Sequence, residues 1–161
     1  MSQAGWSLRL EVEDFLFGYA AALDEERFDA WPPMFTEDEC RYEVLSRENV
    51  DLGLPVPIMS CYSHGMVSDR VAMLIQGTLT YRHMNLLRQV SNVRAERETN
   101  GAIRARANLV VFQSDEEGVS SLYIVARYDA LLVEAAGALR IRQMRVIVDS
   151  FGIDTMLAVP L

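Results

Sequence analysis

"AERETNGAIRARANLVVFQSDEEGVSSLYIVARYDALLVEAAGALRIRQMRVIVDS", Ala95 to Ser150, is the stretch whose reading decides the fold. Three turn signals punctuate it: Asn100-Gly101, Glu117-Gly118 and Ala136-Gly137. The regular gaps between them, with the run that begins just after Arg82, leave room for four long antiparallel strands, at about 83–98, 102–115, 119–135 and 138–150. The last part of the chain therefore reads as one continuous meander.

Upstream, the pattern changes. "VSDRVAMLIQG" has helical spacing through Val67, Val71, Leu74 and Ile75. "CRYEVLSRE", Cys40 to Glu48, alternates like a strand, with Tyr42 and Val44 on one face and Arg41 and Glu43 on the other. Pro55 and Pro57 mark an irregular connection, and "IMSCYS" is a candidate short strand. At the start, Ser7 is placed to cap a helix carrying Leu8, Val12, Phe15, Leu16, Tyr19 and Leu23 on one side. Asp24 then reads as the cap of a short second helix through Phe28 and Trp31, stopped by Pro32-Pro33. Helices followed by a long meander indicate an α+β domain in which a curved sheet wraps over helices. No boundary, repeat or low-complexity segment divides it, so residues 1–161 are expected to form a single domain.

Composition narrows the function. The net charge of −8 argues against nucleic acid and against anionic membrane surfaces. No stretch approaches the ~20 apolar residues of a membrane span, and "MSQAGWSLRLEVEDF" turns acidic too early for a secretory signal. A cytoplasmic protein with reduced thiols at Cys40 and Cys61 is expected. All 15 basic residues are arginine, a pattern explained either by genome composition or by the use of arginine in protein–protein ion pairs. Acids dominate the first part, and the arginines cluster from Arg82 to Arg145.

Chemistry-bearing side chains are scarce. "CYSH" sets Cys61 and His64 at metal-ligand spacing, as in half of a Rieske motif, but that cluster needs two cysteines and two histidines. Cys40 is followed by Arg41 and Tyr42, so the other half is missing. A mononuclear iron needs two histidines and a carboxylate, and His64 and His83 are the only histidines. A zinc held by Cys40, Cys61, His64 and a carboxylate is the remaining metal option, against buried thiols and a hydrogen-bonded histidine. No nucleophile elbow, P-loop or dinucleotide fingerprint is present. An acid–base constellation of Asp69, Asp14 or His83 beside Tyr19 or Tyr81 would suit a dehydratase or isomerase. The competing role of Asp69-Arg70 is an ion pair, and that of His83 is structural.

Four stretches, "WPPMFTEDECRYEV" (Trp31 to Val44), "SDRVAMLIQGTLTYRHMN" (Ser68 to Asn85), "VSNVRAE" (Val90 to Glu96) and "DSFGIDTMLAVPL" (Asp149 to Leu161), resemble the small (beta) subunits of bacterial aromatic-ring-hydroxylating, Rieske-type dioxygenases. The likeness covers nearly the whole chain and leans toward subunits of dioxygenases for aromatic carboxylates such as benzoates, phthalates or terephthalate. It implies a cystatin-like cone, shared with nuclear transport factor, scytalone dehydratase and ketosteroid isomerase. It implies a structural, non-catalytic subunit in an assembly of three large (alpha) and three small subunits, with the small ones trimerised. The Rieske [2Fe–2S] cluster, the mononuclear iron and the substrate would belong to the large subunit, and no cofactor to this chain.

By the same resemblance, Asp69, Arg70, Arg82, His83, Asn92 and Arg94 would have interface roles, together with the apolar end that carries Met156, Leu157 and Leu161. That end is expected to pack at a subunit boundary, the alternative being its own domain. The loop Ser46 to Ser63 departs from the family pattern. The competing functions are a stand-alone dehydratase or isomerase using His83 and an aspartate, and a small-molecule binding module. The fold alone does not choose among them.

Overall fold

The computed structural model describes residues 3–77, 83–153 and 157–161. Helix α1 (Gln3–Asp24) is followed by two 3₁₀ turns, Phe28–Ala30 and Pro32–Met34. Then come strand β1 (Arg41–Ser46), the short helix α2 (Arg47–Asp51), β2 (Met59–Cys61) and α3 (His64–Ile75). Four long strands complete the order: β3 (Asn85–Arg97), β4 (Ile103–Ser114), β5 (Ser120–Ala135) and β6 (Ala138–Val148).

Period-two burial explains the long strands. Ile103, Ala105, Ala107, Leu109 and Val111 of β4 are buried, as are Ile124, Ala126, Tyr128, Ala130 and Leu132 of β5. Their neighbours in sequence point to the opposite face. α1 answers with Val12, Leu16, Tyr19 and Leu23, all buried on one helical stripe, and packs chiefly against β3. The strands form one six-stranded sheet in the order β2-β1-β6-β5-β4-β3.

Register shifts bend this sheet. They fall between Ser91 and Arg94 of β3, Val111 and Phe112 of β4, and Leu131 and Leu132 of β5. A bulge inserts an unpaired residue, kinks its strand and increases the local twist, so three of them curl the long strands into a cone over α1. In β3, Asn92 takes the left-handed conformation at φ 54°, one that asparagine tolerates better than most residues. Ala136-Gly137 closes the β5–β6 hairpin with φ 52° and 77°, both positive as a two-residue type I′ turn requires.

Four sequence expectations need correction. Ser7 does not cap α1, because the helix is already formed at Gln3. Asp24 opens no second helix; it is the last residue of α1, and its carboxylate is engaged by Arg88. Pro32-Pro33 does not end a helix there but begins the second 3₁₀ turn, where the missing N–H is harmless. The first strand stops at Ser46 rather than Glu48, since the Ser46 hydroxyl accepts from the Asn49 amide (3.2 Å) and caps α2. Finally, β1 lies beside β6 and parallel to it, from Arg41↔Gln143 to Ser46↔Val148. This adds to the antiparallel meander a long-range pairing across most of the chain.

Candidate functional site

The interior of the cone is the natural place to look for chemistry. α1 contributes Tyr19, the segment between the 3₁₀ turns Trp31, β1 Tyr42 and β5 Tyr128, all buried. Their rings meet edge to face, Trp31 with Tyr42 at 5.2 Å and Tyr19 with Tyr128 at 5.9 Å. Burial raises the pKa of all three phenols, so each stays a neutral hydroxyl.

One charge enters this space. Arg88 of β3 occupies an inward position between Leu86 and Val90, and its side chain is 0% exposed. Its Nη1 donates to Asp24 Oδ1 (2.5 Å), and its backbone amide donates to Asp24 Oδ2 (2.9 Å). Its Nη2 donates to the main-chain oxygen of Pro160 (2.5 Å). A buried guanidinium survives only when paired and hydrogen-bonded, and here α1 and the last segment of the chain supply those partners.

The end of that segment enters the cone: Pro160 and Leu161 are buried, while 157–159 are half-buried. Leu161 is 0% exposed. Its amide donates to the Tyr42 hydroxyl (2.8 Å), and its main-chain oxygen accepts from the Tyr19 hydroxyl (2.9 Å). Arg70 Nη1 donates to the Ala158 oxygen (3.5 Å), and Leu157 packs partly buried against the core. Tyr19, Tyr42 and the two Nη atoms of Arg88 are thus committed to the chain's own groups, whereas Tyr128 Oη, Trp31 Nε1 and Arg88 Nε are buried without a hydrogen-bond partner among the described residues.

The predicted acid–base constellation does not assemble among the described residues. His83 Nε2 pairs with Glu26 Oε1 (2.6 Å) in an exposed position, Asp14 and Asp69 are exposed, and Tyr19 is engaged with Leu161. Tyr81, Arg82 and Met156 lie outside the described residues. The metal motif is also dispersed. His64 Nε2 lies 3.1 Å from the Pro32 oxygen, and Cys61 Sγ lies 3.7 Å from the Met66 oxygen. Cys40 and Cys61 are buried free thiols whose pKa is raised by that burial. Among the described residues no three His, Cys, Asp or Glu side chains converge as a metal ion requires.

Of the expected interface residues, Asp69 and Arg94 are exposed and Arg70 reaches the Ala158 oxygen. Leu161 is buried within its own chain, the alternative given for the apolar end, with its backbone held by Tyr19 and Tyr42. Sequence reading missed Arg88. The signal was its alternation with Leu86 and Val90, which puts a charge in an inward register.

The sequence matches the family described as ring hydroxylating beta subunit over residues 19–155. It is 38% identical over 147 residues to the small subunit of anthranilate 1,2-dioxygenase from Burkholderia cepacia, covering 89% of this chain and 88% of that one. In three dimensions it is similar to a crystal structure assigned as the beta subunit of an aromatic-ring-hydroxylating dioxygenase from Novosphingobium aromaticivorans. There the TM-score is 0.88 at 30% identity, covering 99% of this chain and 100% of that one. A protein assigned as a scytalone dehydratase from the same organism shares the fold, with a TM-score of 0.72 at 13% identity over 99% of this chain and 96% of that one.

Proposed function

This chain belongs to the ring-hydroxylating beta subunit family of aromatic dioxygenases, and on that premise we propose that it is a non-catalytic small subunit that supports a large, alpha subunit in a three-plus-three assembly. The Rieske cluster, the mononuclear iron and the aromatic ring to be cis-dihydroxylated belong to the large subunit, in aromatic-compound catabolism. The substrate is an aromatic carboxylate, the class to which the anthranilate of the relative's name belongs. The setting is the cytoplasm; among the described residues no helix is long and apolar enough to cross a membrane.

One observation carries the non-catalytic reading: Arg88, Tyr19 and Tyr42, polar groups of the cone interior, are bonded to the backbone of Pro160 and Leu161, which are buried there. A catalytic group must reach a reacting atom within hydrogen-bond distance, and these groups reach backbone instead. Co-expression with the large subunit is the test. The pair is expected to purify together and carry iron, while this chain alone carries none and turns over no substrate. Turnover by the isolated chain would overturn the reading.

A further inference from the structure

The outer face of the sheet holds a row of charges in register. Glu43 lies opposite Arg145, Arg145 opposite Asp129, Asp129 opposite Arg106, and Arg106 opposite Arg94. The signs alternate until the last step, where two arginines face each other. Directly opposed like charges destabilise a strand pair. Asp129 cannot neutralise them both, because it is shared among Arg104 (3.4 Å), Arg106 (3.9 Å) and Arg145 (3.9 Å). The Arg106 side chain is 72% exposed. Arg94 is exposed, with no hydrogen bond or ion pair among the described residues.

On the same face a row of apolar side chains, Leu87, Phe112 and Leu122, runs in register across β3, β4 and β5 and lies open to solvent. Forked guanidiniums beside exposed apolar area are the chemistry of a protein-docking surface. The forks fit carboxylates and set register, while the apolar row supplies contact area.

The chain carries the complementary charge toward the other side of the sheet. β3 is one edge, and β1 lies four strands away from it, next to the other edge. Glu37, Asp38 and Glu39, just before β1, are consecutive, exposed and without an ion pair among the described residues. A basic surface and an acidic one on opposite flanks of one molecule make a heterologous contact, and repeating such a contact closes a ring when the rotation permits.

We infer that Arg94 and Arg106 dock the Glu37-Asp38-Glu39 segment of a second copy of this chain, head to tail. The inference rests on the small-subunit reading and names the contact by which the small subunits associate. The test uses sedimentation of the full chain, alone and co-purified with its large subunit. R94E/R106E is expected to weaken self-association at least tenfold, as is E37R/D38R/E39R, and combining the two sets is expected to restore it. R94Q/R106Q controls for folding: it should weaken association without lowering the Tm of the isolated chain, because it removes a repulsion. Unchanged association in R94E/R106E, no rescue by the combination, or a wild-type chain monomeric in both settings would overturn the inference. Failure of the wild-type chain to co-purify with the large subunit would count instead against the small-subunit reading, so the two failures are distinguishable.

Discussion

Arg88 and Arg94 sit six positions apart on the same strand and live in opposite worlds. Arg88 points into the cone, fully buried, with Asp24 and the Pro160 oxygen as partners. Arg94 points outward beyond the bulge at Asn92, exposed and facing another arginine. The buried charge is paired with the chain's own groups through both Nη atoms, with Arg88 Nε left without a hydrogen-bond partner among the described residues. At Arg94 the exposed charge stays unbalanced. The inner face is committed to the chain's own stability, and the outer face is available for company.

Removing the inner charge should have the largest effect. Arg88→Ala strands the Asp24 carboxylate and releases the Pro160 oxygen, and breaking a buried pair from one side costs about 3–5 kcal/mol. Urea unfolding should show that loss. Because the Asp24 side chain is 16% exposed, the loss belongs at the lower end of that range; no loss would mean that Arg88 is not held inside the cone. Leu161→Ala comes next. It leaves a cavity among buried aromatic rings, and truncating a buried leucine costs on the order of 3 kcal/mol. An unchanged midpoint would mean that the segment is not held in the cone.

The contrast also explains what the sequence disclosed. The four long strands were legible to within about two residues, because alternation and the glycine turns are local signals. The outward placement of Arg41 and Glu43 followed from the same period. The β1–β6 pairing was not legible, since it joins segments about a hundred residues apart and nothing local encodes it. Arg88 was overlooked because an arginine amid apolar alternation reads as surface, and its partners Asp24 and Pro160 are remote in sequence. Asp24 was misread for a related reason. An aspartate after an apolar stripe looks like a helix cap, yet here the buried guanidinium claims its carboxylate. The apolar end was recognised as needing burial at a subunit boundary or in its own domain, and the fold shows Pro160 and Leu161 buried in its own cone.

The remaining effect is set by pH and is absent at neutrality. The folded state holds Tyr19, Tyr42 and Tyr128 neutral, with pKa values raised by burial above the ordinary 10.0. Unfolded phenols begin to ionise at that value while the buried ones do not. The unfolded chain then binds fewer protons, and stability falls as pH rises past 10.0. Each buried phenol adds a slope of up to about 1.4 kcal/mol per pH unit, measurable by denaturant titration between neutral and alkaline pH. No slope above the ordinary phenol value would mean that the three hydroxyls are solvated, and the inner face would then resemble the outer one.

The most direct measurement is amide hydrogen exchange at Leu161 in the native protein. Its N–H is bonded to the Tyr42 hydroxyl inside the cone (2.8 Å), so it should exchange about as slowly as the amides of β4 and β5, opening only when the whole fold opens. Exchange within seconds would contradict the account, because the cone would then stand open to a substrate.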